Sequence, residues 1–290
     1  MNPKPISDFT SVIGEGPMWS VKEQRLYWVD IPEAIIYSYE PATALRKSWR
    51  MPDEVCWLVE RLNGKGFVAG FKSGLAFVRL EPEISIEFTG IPISEGAGVR
   101  INDGKADRSG KIWTGTMSVD RSKADGRLFR IDSQDEFQCV DSSYHVCNGP
   151  SISNDGHTLY NTDSYLRRIY AYDLCDDGTL RNRRVWKQFD ESDGFPDGMT
   201  VDSENCIWVA HWGAGRISRL SPSAEMLSTL TIPASQVTSC TFGGTTLNKL
   251  FVTTAKIGLG EEALEKEPFA GATFEIDVDV LGLPAYPAHF

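Results

Sequence analysis

Short runs in which apolar and polar residues alternate recur along the whole chain. RLYWVDI, KGFVAGF, KIWTGTM, TLYNTDS, CIWVAHW and KLFVTTA each carry an aromatic flanked by alternating apolar positions, the period-two signature of a half-buried strand. Tyr27, Phe67, Trp113, Tyr160, Trp208 and Phe251 anchor these runs, at spacings of 40, 46, 47, 48 and 43 residues. A second alternating run follows each anchor: IIYSYEP, LAFVRLEP, GRLFRIDS, RIYAYDL, RISRLSP and ATFEIDV. The pairs Asn63-Gly64, Ser109-Gly110 and Asp155-Gly156 precede three anchors and predict tight turns. Helical periodicity is almost absent, and GEEALEKE (260–267) predicts only one or two turns.

Six units of 40 to 48 residues, each with several short strands, match an all-β, six-bladed β-propeller. One such unit cannot bury both faces of its sheet, so stacking around a ring forms the core. No linker or change of composition divides the chain, which predicts a single propeller domain over residues 1–290. The first ten and roughly the last ten residues are expected to meet at the ring closure and pair, hiding edge strands.

The repeat also aligns chemistry. Glu15, Asn102, Asn148 and Asp197 each lie 11 or 12 residues before an aromatic anchor. Taken singly, each is more simply a turn residue. Sharing one phase of a closed ring, they converge on its axis, where two carboxylates and two carboxamides suit a hard cation. Gly14 and Gly16 flank Glu15 and allow close approach to the axis. The other two repeats place Val55-Cys56 and Ser239-Cys240 at this phase. Ligation is therefore expected from one side of the ring, leaving an open sector for substrate and water. His145 and Cys147 sit beside Asn148 but off the phase, which argues against zinc through them.

Composition narrows the function classes. Net charge is −11 with no dense basic cluster, which excludes a nucleic-acid partner. No window approaches 18 continuous apolar residues, so no membrane span is expected, and the N-terminus has no secretory h-region. Six scattered cysteines without a C-x-x-C pair suit reduced thiols and a cytoplasmic location. The protein is expected to be a monomer or weak homodimer. Asp173 to Asp177 mimics an EF-hand start, but position twelve is Arg184. GLGEEA (258–263) mimics a dinucleotide fingerprint without a βαβ unit behind it.

At these residues the chain resembles the senescence marker protein/gluconolactonase/regucalcin-like family. GEGPMW, RINDGKADRSGKIWTGTM, NGPSIS, YNTDS, FPDGMTVDSENCIWVAHWGAGRISRLSP and SCTFGGTTLNKLFVTTA carry the likeness, which spans essentially the whole chain. The resemblance implies a central divalent cation, with calcium first and zinc, magnesium, manganese or ferrous iron as alternatives. Glu15, Asn148 and Asp197 are its implied ligands. It implies hydrolysis of a sugar lactone, with Arg100, Asn102 and Asp120 facing substrate; in that chemistry Asp197, through its second oxygen, is expected to act as general base on the attacking water. Asp120 stands where some relatives have glutamate. Asp163 is an implied supporting group. The alternatives are a calcium-binding propeller without turnover, or a hydrolase of other esters or organophosphates, with Trp19, Trp57, Phe195 and Trp212 as candidate mouth residues.

Overall fold

The computed structural model describes residues 2–6, 9–62, 64, 66–91 and 98–290. Its strands form six four-stranded sheets arranged as a six-bladed propeller. The inner strands are Gly14–Ser20, Val55–Glu60, Val99–Ala106, Cys147–Ile152, Phe195–Val201 and Val237–Gly243, in blades one to six. Each aromatic anchor falls on the second strand of its blade, and all six are buried. The second alternating runs form the third strands.

The anchors are fixed by the turns before them. Asp107 and Asp202 each stand six residues ahead of an anchor tryptophan. Each turns one carboxylate oxygen to backbone N–H groups of its own hairpin, Ser109 and Lys111 or Glu204 and Cys206. The other oxygen accepts the indole N–H of Trp113 or Trp208, at 2.8 Å in both blades. A hairpin residue thus satisfies a buried indole donor that would otherwise cost about 1–3 kcal/mol. Asp155-Gly156 and Ser109-Gly110 form turns as expected; Asn63 lies outside the described residues. The one α-helix among them, Glu261–Lys266, matches the expected short element.

Ring closure differs from expectation at one terminus. Lys4–Pro5 pairs with Phe274–Asp277 and completes blade six. Among the described residues, the last ten do not pair with the first ten. Gly282 bridges to Asp202, Ala288 bridges to Arg61, and the Phe290 carbonyl accepts from Arg61 Nε at 3.0 Å. Leu283 to Tyr286 thereby cover a small cavity at the far end of the channel, lined also by Asp103 and Lys105. No helix among the described residues is long and apolar enough to cross a membrane.

Candidate active site

The motifs that read as turns in sequence lie inside the inner strands. Each inner strand carries a register irregularity there, between Glu15 and Met18, Ile101 and Gly104, Asn148 and Ser151, and Pro196 and Met199 in the four polar blades. A bulge re-aims a side chain out of the pleat, here toward the channel. Gly16 and Gly149 adopt φ of +53° and +49°, a left-handed conformation that glycine adopts without strain. Glu15 and Asn148 each accept the N–H of the glycine that follows, at 2.9 and 3.0 Å. Asp103 does the same with Gly104 at 2.7 Å.

Two carboxylates pin the approach to these strands. Asp30 accepts from the N–H groups of Val12 and Ile13 at 2.8 and 3.1 Å, just ahead of Glu15. Asp163 accepts from His145 N–H at 3.1 Å, ahead of Asn148. Asp163 is fully buried and supports the strand Cys147–Ile152 without lining the cavity. His145 Nδ1 also lies 3.1 Å from Asp163, and Cys147 Sγ accepts from Asn161 at 3.0 Å.

A cavity of about 240 Å³ opens over this constellation. Glu15, Arg100, Asn102, Asn148 and Asp197 line it, so the structure brings these five together. Its walls are mostly apolar: Ile13, Ile31, Met117, Tyr165, Phe195 and Trp212. Trp19 and Trp57 lie elsewhere. Trp19 stacks on Phe251 at 5.5 Å, and Trp57 is buried against Gly70 and Gly104 with its indole N–H on Thr114 Oγ1.

Three further expectations change. Asp120 does not reach the cavity. It is solvent-exposed, caps a local turn through Ser122 at 2.7 Å and faces Lys123; its neighbour Arg121 lines the cavity instead. The polar groups do not sit on one side of the ring. Blade one stands opposite blade four in a ring of six, so Glu15 faces Asn148 across the channel. The sectors at Val55-Cys56 and Ser239-Cys240 are closed by those buried side chains. Finally, sequence spacing passed over Asp103, which is buried beneath the site. Its oxygens accept from Gly104 and Gly149. The signal available was the acid-glycine pair it shares with Asp197-Gly198.

The electrostatics follow from this crowding. Burial first, and then the charges of Asp197 and Asp103, push Glu15 well above the ordinary carboxylate range. Asp197 is pushed well up by burial and by Asp103, against the opposing effects of Asn148 and Arg100. Burial raises Asp103 as well, opposed mainly by Lys105. Asn148 Nδ2 donates to Asp197 Oδ1, and Arg100 Nη1 donates to the Ile101 carbonyl at 2.8 Å and to Asn102 Oδ1 at 3.2 Å. Asn102 Nδ2 donates to the Cys147 carbonyl at 3.0 Å.

No group of three His, Cys, Asp or Glu side chains among the described residues forms a ready metal cluster. The donor set is mixed, with the carboxylates of Glu15 and Asp197 and the carboxamide of Asn148. All three are oxygen donors, and the two acids are buried together under mutual repulsion. That combination fits a hard cation, which would offset the repulsion.

Comparison with known proteins now decides the family. Residues 13–256 match the SMP-30/Gluconolactonase/LRE-like region. The chain belongs to this family. It is 32% identical to a 6-deoxy-6-sulfogluconolactonase of Pseudomonas putida over 94% of this chain and 93% of that protein. It is 33% identical to a regucalcin of Danio rerio over 94% of each. A luciferin-regenerating enzyme superposes with a TM-score of 0.92 at 29% identity, covering all of both chains. The family match covers all six inner strands.

One buried base near the site titrates far from its usual range. His211 pairs with Pro196 across blade five and donates its Nδ1–H to the Asp193 carbonyl at 2.9 Å. Burial, then the Arg216 guanidinium, push its pKa from 6.5 down to about 4. The unfolded chain therefore takes up a proton near pH 6.5 that the folded protein refuses until about pH 4. Stability from this residue is intact above pH 6.5 and falls as pH drops through that window, by about 3 kcal/mol. An NMR titration of His211 is expected to place its midpoint near 4; a midpoint near 6.5 would contradict the assignment.

Proposed function

We propose that the protein is a divalent-cation-dependent hydrolase of sugar lactones, yielding the aldonic acid. The observation that carries this reading is the placement of Asp197, a buried carboxylate made more basic by its surroundings, beside the fixed donors Arg100 and Asn102. A structural cation alone needs no such donors. The lactonase name of the Pseudomonas putida relative supports it. The regucalcin name of the Danio rerio relative is compatible with a binding propeller instead.

Glu15, Asn148 and Asp197 would hold the cation. When bound, the cation supplies Lewis-acid polarisation of the lactone carbonyl and charge stabilisation as the oxyanion develops. Asn148 engages one oxygen of Asp197. In the proposed step, Asp197 takes a proton from water as the water oxygen bonds the carbonyl carbon. The ring C–O bond then breaks, and the proton passes from Asp197 to the departing ring oxygen, which becomes a hydroxyl. Arg100 and Asn102 hold ring substituents and orient the ester. Burial and the Asp103 charge favour the protonated form of Asp197, which suits a group that must both accept and return the proton.

The apolar walls favour a second reading at the same site, hydrolysis of less polar esters. Aromatic faces such as Tyr165 and Trp212 accept a sugar ring as well as an aryl group. Assaying aldonolactones beside an aryl ester separates the two. Preference for the aryl ester would overturn the sugar-lactone reading and leave the hydrolase mechanism in place.

A further inference from the structure

One arginine in the cavity has no part in the chemistry above. Arg121 lies at the exposed rim, three residues beyond the strand Ile112–Ser118. The turn that carries it is held at both ends. Val119 N–H donates to the Gly98 carbonyl at 2.8 Å, and Lys123 N–H to the Asp120 carbonyl at 2.9 Å. The Asp120 carboxylate is turned to Ser122 and Lys123 and does not neutralise Arg121. Among the described residues, Arg121 makes no ion pair and no hydrogen bond.

Arg100 is placed differently. Its Nη1 is tied to Ile101 and Asn102, and its charge opposes those of Glu15 and Asp197. The cavity therefore has two cationic poles, one half-buried beside the reacting end and one at the mouth that no described residue pairs with. A neutral sugar gains only hydroxyl hydrogen bonds from the second pole and makes no use of its charge. An anion does, because a guanidinium fork matches the oxygens of a carboxylate, sulfonate or phosphate. A net charge of −11 would otherwise repel such a substrate.

We infer that the substrate is a lactone bearing an anionic substituent remote from the lactone carbonyl, and that Arg121 binds that substituent. This rests on the lactone-hydrolase reading and adds a specificity residue to it. Arg121 is far from bond breaking in this assignment, so its effect appears in KM.

The test measures kcat/KM of the cation-loaded protein for D-glucono-1,5-lactone, its 6-phosphate and D-glucaro-1,4-lactone, in wild type, Arg121→Gln and Arg121→Lys. Wild type is expected to prefer at least one charged lactone by about tenfold. Arg121→Gln should abolish that preference through KM, Arg121→Lys should keep part of it, and added salt should weaken it. Preference for the phosphate alone or for the carboxylate alone identifies the substituent. No preference in wild type, or the same preference in Arg121→Gln, overturns the inference. If no lactone is hydrolysed, the hydrolase reading fails, and calorimetric binding of 6-phosphogluconate against gluconate still reads Arg121. Tighter binding of the phosphorylated acid that is lost in Arg121→Gln upholds the anion subsite; equal binding overturns it.

Discussion

Asp197→Asn is expected to lower lactone turnover by about a hundred- to ten-thousandfold while the protein stays folded. The substitution keeps the shape of the side chain and an oxygen that can still accept from Asn148. It removes the group that takes the proton from water and returns it to the ring oxygen. Folding should not suffer, because the lost charge is one of three buried acids that repel one another. Without cation, Asp197→Asn is expected to melt above the wild type. Steady-state kinetics with a parallel measurement of cation binding separate base from ligand. Full activity with cation still bound would remove Asp197 from the base role.

Chelation is expected to abolish turnover and to lower the melting temperature. A cation that binds only the folded state stabilises it by about 2.7 kcal/mol at a hundred times its dissociation constant. Glu15→Gln should show two effects of opposite sign. It removes a ligand, so added cation should no longer raise the melting temperature. It also relieves repulsion with Asp197 and Asp103, so the cation-free variant should be more stable than cation-free wild type. The pH dependence follows the same logic. Glu15 and Asp197 have folded pKa values raised above their ordinary 4.5 and 3.8. In cation-free protein the folded state keeps protons that the unfolded chain releases near pH 4, so their contribution to stability declines as pH rises above that value. Cation should suppress this decline. Melting scans across pH, with and without chelator, read both effects; a cation-induced shift that persists in Glu15→Gln would contradict the ligand assignment.

The inner half of each blade was legible because it is doubly constrained. The second and third strands pack on both faces, so their aromatic and β-branched residues alternate clearly. The outer strands, such as Leu45–Arg50 and Met226–Thr231, are largely exposed and carry little hydrophobic pattern to read. The phase of Glu15, Asn102, Asn148 and Asp197 led to the cavity because a bulge recurs in each inner strand. The same bulges look like turns in sequence, since Gly and Pro mark both. Asp120 lies outside the cavity, since chain position along a family motif does not show where a turn points. Ser122 captures its carboxylate and leaves Arg121 at the rim. Asp103 was hidden by its neighbour Asn102, which occupied the expected phase. The C-terminal tail gave no signal of its path, because its contacts with Asp202 and Arg61 are mainly backbone pairings.

Everything above turns on a cation-dependent hydrolytic site built on Glu15, Asn148 and Asp197. Acid release from a panel of neutral and anionic aldonolactones tests it most directly, with purified protein stripped by chelator and then reloaded with calcium, magnesium, manganese, zinc or ferrous iron. Turnover of at least one lactone is expected to disappear on chelation, to return with a divalent cation and to be absent in Asp197→Asn. No turnover of any lactone with any metal, or turnover indifferent to chelator, would contradict it.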